Sequence, residues 1–102
     1  MGKKKKFKLF NTEWEIEYVD SFDEENDSAV KLGNTCYLTH KIQVARTADG
    51  VKLSKEDIEL TLLHEIVHSI LGSGNYIAYS SDEPLVEWIA NCIISLKKQN
   101  II

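Results

Sequence analysis

The hydrophobic period of this chain changes once, from two residues to a helical spacing, and the change falls near Ser54. Before it, apolar and charged residues alternate. Phe7-Lys8-Leu9-Phe10 is followed by Asn11-Thr12 and then by Glu13-Trp14-Glu15-Ile16-Glu17-Tyr18-Val19, which predicts a hairpin of two half-buried strands. Ser21 to Ser28 (SFDEENDS) is acidic and turn-rich and predicts a surface loop. Ala29 to Leu32 is short and apolar, Gly33-Asn34 reads as a turn, and Thr35 to Ala45 is β-rich, with Ile42 and Val44 alternating against Lys41 and Gln43. Ala48-Asp49-Gly50 ends the strand pattern. A single switch of period predicts an α+β fold in which an antiparallel sheet of three to four strands precedes two helices.

The first helix opens at Ser54-Lys55-Glu56-Asp57, where a capping serine and early carboxylates suit the positive end of the dipole. Ile58, Leu62, Leu63, Ile66, Val67, Ile70 and Leu71 recur at three- and four-residue spacing, so most of this helix is expected to be buried, and Gly72-Ser73-Gly74 stops it. In the second helix Ser81 or Asp82 caps, Pro84 suits the first turn, and Lys97 and Lys98 lie near the negative end. Its apolar side is read as Leu85, Trp88, Ile89, Cys92, Ile93 and Leu96.

Composition narrows the partners. The 102 residues, 43% hydrophobic and 27% charged, describe one globular domain over 1–102, with residues 1–6 as a flexible, solvated basic tail. A net charge of -4 argues against a nucleic-acid binder held by counterion release. No apolar run is long enough to cross a membrane, and the Lys3 to Lys6 tract is not followed by the apolar stretch of a signal peptide. A cytoplasmic protein is expected, without nucleic-acid or membrane partners. Cys36 and Cys92 form no CxxC pair and read as reduced, buried small hydrophobes. Oligomeric state leaves no trace in the sequence.

The chemistry concentrates in His64-Glu65-Ile66-Val67-His68, an H-E-x-x-H run inside the first helix. Residues four apart differ by only about 40° around a helix axis, so His64 and His68 share a face and can reach one metal ion. Glu65, turned by about 100° from His64, lies beside that ion, where its carboxylate can take a proton from a metal-activated water. Two histidines and a glutamate in an apolar helix would cost several kcal/mol if left uncompensated, and coordination recovers that cost.

Catalytic zinc needs a third protein ligand. Glu83 and Glu87 of the second helix are the candidates. Glu83 has another role available as a first-turn carboxylate, whereas Glu87 lies a full turn into an otherwise apolar helix, so Glu87 is preferred and Glu83 is the alternative. Glu83 or Asn91, one turn to either side of Glu87, would then hydrogen-bond a ligand from behind.

HEIVH, preceded by Thr61-Leu62-Leu63 and followed by Glu87-Trp88-Ile89-Ala90-Asn91, resembles the gluzincin metallopeptidases. The E-x-x-A-N element is similar to that of the ImmA/IrrE-like family and of small zinc peptidases encoded by phages and bacterial mobile elements. The resemblance runs from about Phe7 to Asn100. It implies a minimal zincin-like domain in a bacterial or phage-infected cell, one Zn²⁺ per chain on His64, His68 and Glu87, and a peptide or protein substrate cut with Glu65 as general base. In zincins an exposed strand pairs with the substrate backbone, and the run Lys41, Ile42, Gln43, Val44 stands nearest before the helix. Tyr76 and Tyr79, in the loop between the helices, are candidates for stabilising the transition state.

With 34 residues after His68, no sizeable second lobe is expected to wall the far side of a cleft. Two other classes stay open: a non-catalytic regulatory or interaction module stapled by zinc, and a metal-free acidic interaction protein using Asp23 to Asp27. A structural site has no need of Glu65, which favours catalysis.

Overall fold

The computed structural model describes residues 4–22 and 31–102. Six strands are followed by three helices: β1 (Lys4–Leu9), β2 (Thr12–Val19), β3 (Gly33–Cys36), β4 (Lys41–Ala45), β5 (Thr47–Ala48), β6 (Val51–Lys52), α1 (Lys55–Ser73), α2 (Ile77–Ser80) and α3 (Glu83–Lys98). Residues 23–30, which hold most of the acidic stretch and the surface considered for an acidic interaction protein, lie outside the described residues.

The main sheet runs in the order β1-β2-β4-β3. It is mixed, not wholly antiparallel: β2 and β4 run parallel, with Ile16 opposite Ile42 and Tyr18 opposite Val44. Apolar content decides which strand lies inside. Ile42 and Val44 are fully buried, each stabilising by about 1.5–3 kcal/mol, while β3 is the small, polar run Gly-Asn-Thr-Cys. The antiparallel β3–β4 hairpin therefore turns β4 inward beside β2 and leaves β3 outermost. Gly33-Asn34, expected as a turn, is strand instead, and the turn falls at residues 37–40, where His40 is left-handed (φ 54°).

Lys4 to Lys6, expected in a flexible tail, belong to β1. They pair in register with Glu17, Ile16 and Glu15 of β2, and Lys4 and Lys6 meet Glu15 and Glu13 at 3.6 and 3.4 Å. The alternation of charge across the two strands favours this pairing. A second hairpin, β5–β6, closes through Asp49 (φ 53°) and Gly50 (φ 74°), two consecutive left-handed residues as a tight hairpin turn demands.

Helix α1 is apolar on two flanks, which makes it the middle layer. Ile58, Leu62 and Ile66 pack on the sheet core of Trp14, Ile16, Ile42 and Val44, while Leu60, Leu63, Val67 and Leu71 meet Val86, Ala90 and Ile94 of α3. Ile70 is about half exposed, so burial of α1 is less complete than its periodicity suggests. On α3 the packed face is Val86, Ala90 and Ile94, and Trp88, expected on the apolar side, is 68% exposed. Ser54 caps α1 by accepting from Asp57 N, and Asp82 caps α3 by accepting from Leu85 N. The helices are antiparallel, tied where Lys97 and Lys98 reach Glu59 and Glu56 at 2.7 and 2.9 Å. No helix among the described residues is long and apolar enough to cross a membrane.

Candidate metal centre

Side chains of three residues converge where the middle of α1 faces the start of α3. His64 Nε2 and His68 Nε2 stand 3.2 Å apart. The Glu83 carboxylate spans the two rings, with Oε1 at 2.9 Å from His64 Nε2 and Oε2 at 3.2 Å from His68 Nε2. A tetrahedral zinc ion with bonds of about 2.0–2.1 Å spaces its ligand atoms by about 3.3 Å, which is the scale of these contacts, and the three residues form a group that could hold a metal ion. Two histidines and a glutamate are one of the donor sets of catalytic zinc.

Glu87, preferred from the sequence as the third ligand, takes another position. Its Oε1 lies 2.7 Å from His64 Nδ1, the ring nitrogen away from Glu83. A carboxylate accepts only, so His64 Nδ1 donates to it, and this is the tautomer that a metal at Nε2 would need. The difference in contacts follows from helix crossing: Glu83, at the end of α3 nearest His68, reaches across to both rings, and Glu87, one turn further on, meets only the near edge of His64. Asn91 serves neither ring nor carboxylate; its amide donates to Glu87 O at 2.9 Å within the helix.

Burial lowers the pKa of His64, but the hydrogen bond to Glu87, the charge of Glu65 and the contact with Glu83 outweigh it, and the net shift is upward. Without a cation, a proton on His64 satisfies the surrounding carboxylates. A divalent ion bound there would replace that proton, favoured by the same carboxylates.

Glu65 is buried at 7% exposure, on the flank of α1 facing β3. The Thr35 hydroxyl lies 2.5 Å from Glu65 Oε1 and 3.2 Å from Glu65 O, donating to both and pinning the side chain to the strand. Gly33 makes this approach possible: a Cβ there would stand 2.7 Å from Glu65 Oε2 and 2.8 Å from Thr61 Cγ2.

Two open clefts meet at this group, sharing Gly33, His64, Glu65 and Glu83. One, of about 490 Å³, runs past Asn34, Thr35, Tyr37, Ile77 and Ser80. The other, of about 580 Å³, runs past Leu32, Leu53, Asp57, Leu60 and Thr61. The strand bordering both is β3. Lys41, Ile42, Gln43 and Val44, expected at the edge, form the interior strand β4.

Tyr76 and Tyr79 pack against each other, with ring centroids 6.2 Å apart and each 57% exposed, and neither lines a cleft at the metal group. Tyr37 does line one, with its hydroxyl 3.1 Å from His68 O and 2.5 Å from Ser80 Oγ, and Ser80 Oγ is 3.1 Å from His68 Nδ1. Thr35, Tyr37, Ser80 and Gly33 escaped the sequence reading, because nothing local marks a residue whose role depends on a strand crossing a helix. Cys36 and Cys92 are free and half-buried, short of the full burial expected. Comparison with protein families, with curated proteins and with solved structures finds no match for this chain.

Proposed function

We propose that this protein is a zinc-dependent peptidase in which His64, His68 and Glu83 hold the metal and Glu65 is the general base. The observation that carries the reading is the convergence of His64, His68 and Glu83, with contacts of 2.9 to 3.2 Å between them, beside a buried carboxylate in a mid-helix H-E-x-x-H run. Zinc bound there would supply Lewis acidity to a substrate carbonyl and to the attacking water. Glu65, fixed by Thr35 and facing the same cleft, takes the proton of that water and passes it to the departing amine. The two clefts leave room on both sides of the metal for an extended chain, and β3 offers its outer edge to a substrate backbone. The gluzincin resemblance implies the same activity, and the setting it implies is the cytoplasm of a bacterial or phage-infected cell.

A second reading, a non-catalytic zinc staple, draws support from ligands that come from both α1 and α3. It leaves the burial of Glu65 beside the ligands without a purpose. The two readings part in one experiment: zinc-loaded wild type and Glu65→Gln incubated with a mixture of unstructured peptides, with products identified by mass spectrometry. Cleavage by wild type that falls by about 10²–10⁴-fold in Glu65→Gln at full zinc content is expected of the enzyme. No cleavage by the loaded wild type, or equal cleavage by both, contradicts it.

A further inference from the structure

Each ligating imidazole must present Nε2 as a lone pair, so each needs an acceptor at Nδ1. Glu87 is that acceptor for His64. For His68 the nearest polar atom is the hydroxyl of Ser80, at 3.1 Å, and a hydroxyl can donate as readily as accept. Alone it would leave the tautomer of His68 open.

The surroundings of Ser80 bias that choice. Tyr37 Oη donates to the carbonyl of His68 at 3.1 Å and lies 2.5 Å from Ser80 Oγ. With the Tyr37 proton on the carbonyl, the proton between the two hydroxyls comes from Ser80, and a Ser80 lone pair is left facing His68 Nδ1. Tyr37 donating to Ser80 instead would free the Ser80 proton for the carbonyl at 3.4 Å or for Nδ1 at 3.1 Å. The first arrangement keeps the shorter contact to the carbonyl; in it His68 donates from Nδ1, and its Nε2 lone pair is available to a metal beside His64 and Glu83. The circuit begins and ends on His68.

Its members are held from outside. Ser80 is 4% exposed on α2, and the Tyr37 ring lies so close over Gly72 of α1 that any Cβ there would overlap it. The edge of that ring also meets Trp14 of β2, centroids 6.4 Å apart. Sheet, α1 and α2 therefore converge on one nitrogen.

We propose that Ser80, directed by Tyr37, is a positioning residue that sets the tautomer and orientation of His68 for the metal. This rests on the metal site proposed above.

The test pairs a zinc competition titration against a chromophoric chelator with imidazole nitrogen NMR of His68, on wild type, Ser80→Ala, Tyr37→Phe, the double variant and the exposed control Ser81→Ala. Expected are an affinity about 10- to 100-fold weaker in Ser80→Ala, a smaller loss in Tyr37→Phe, and a double variant no weaker than Ser80→Ala, because the two act in one circuit. Zinc-free Ser80→Ala is expected to show His68 in mixed tautomers where wild type shows Nδ1–H, with Ser81→Ala like wild type in both measurements. Affinities within twofold of wild type and unchanged His68 signals would overturn the proposal while leaving the metal site standing. A wild type that binds no zinc overturns both. If Ser80→Ala fails to fold, Tyr37→Phe, which keeps the ring over Gly72, decides by the same two readouts.

Discussion

Gly33 has no side chain because Glu65 occupies the place where one would go. Gly33→Ala would drive a methyl to within 2.7 Å of Glu65 Oε2, with Thr61 preventing retreat on the other side. The carboxylate must shift, and a displacement of about 1 Å in a catalytic group costs about 10²-fold in rate. Peptide cleavage in Gly33→Ala is therefore expected to fall by that order with zinc content unchanged; loss of zinc instead would place Gly33 among the determinants of the metal site. Glu87→Ala should behave in the opposite way, keeping one zinc per chain but at an affinity about 10- to 100-fold weaker, since it supports His64 from Nδ1. At this scale the sequence showed the histidines and Glu65, because four-residue spacing on a helix is geometry that needs no tertiary knowledge. It preferred Glu87 to Glu83 as the third member, whereas the structure groups Glu83 with both rings. The two glutamates sit on one helix a turn apart, and which reaches the shared face of the rings depends on where α3 crosses α1.

Caps at the level of elements are worth about 1 kcal/mol each, yet the two here should have different consequences. Ser54 caps α1 far from its ligands, whereas Asp82 immediately precedes Glu83, the first residue of α3. Ser54→Ala is expected to lower unfolding stability by about 1 kcal/mol without changing zinc affinity. Asp82→Ala should cost a similar amount and also weaken zinc binding, because fraying of the first turn of α3 releases Glu83; Asp82→Asn should restore both. Denaturant unfolding and zinc titration on the three variants decide, and equal zinc affinities in Ser54→Ala and Asp82→Ala would contradict the coupling. Both helices and their caps were legible, since capping residues and 3.6-residue periodicity are local signals. Strand β3 was not: Gly-Asn-Thr-Cys carries no alternation, and its residues are chosen by contact with α1, Gly33 for closeness and Thr35 for its hydroxyl. The error over the edge strand has the same origin, because a sequence pattern marks β4 as apolar but not as interior.

Helix α1 is the middle of a three-layer arrangement, so the whole molecule depends on the sheet and α3 both staying on it. Lys97–Glu59 and Lys98–Glu56 tie one end of α3, and the contacts of Glu83 and Glu87 with His64 and His68 tie the other. Zinc at a hundredfold excess over its dissociation constant would add about 2.7 kcal/mol to stability, and in a domain of this size each kcal/mol moves Tm by about 4–8 °C. Chelation is therefore expected to lower Tm by about 10 °C or more, reversibly on readdition of zinc, and an unchanged Tm would show that no metal spans the two helices. The order of segments, sheet first and helices after, could be read from the single change in hydrophobic period; the parallel centre of the sheet could not, because strand direction is set by the path of the chain between strands. His64, His68 and Glu83 are proposed to hold one zinc ion. Metal content per chain, measured by mass spectrometry after zinc loading and desalting, tests it on wild type, His68→Ala, Glu83→Ala and Glu87→Ala. One zinc in wild type, none in His68→Ala and Glu83→Ala, and zinc retained at saturating supply in Glu87→Ala is the predicted result; a wild type without zinc, or zinc kept in Glu83→Ala and lost in Glu87→Ala, would contradict it.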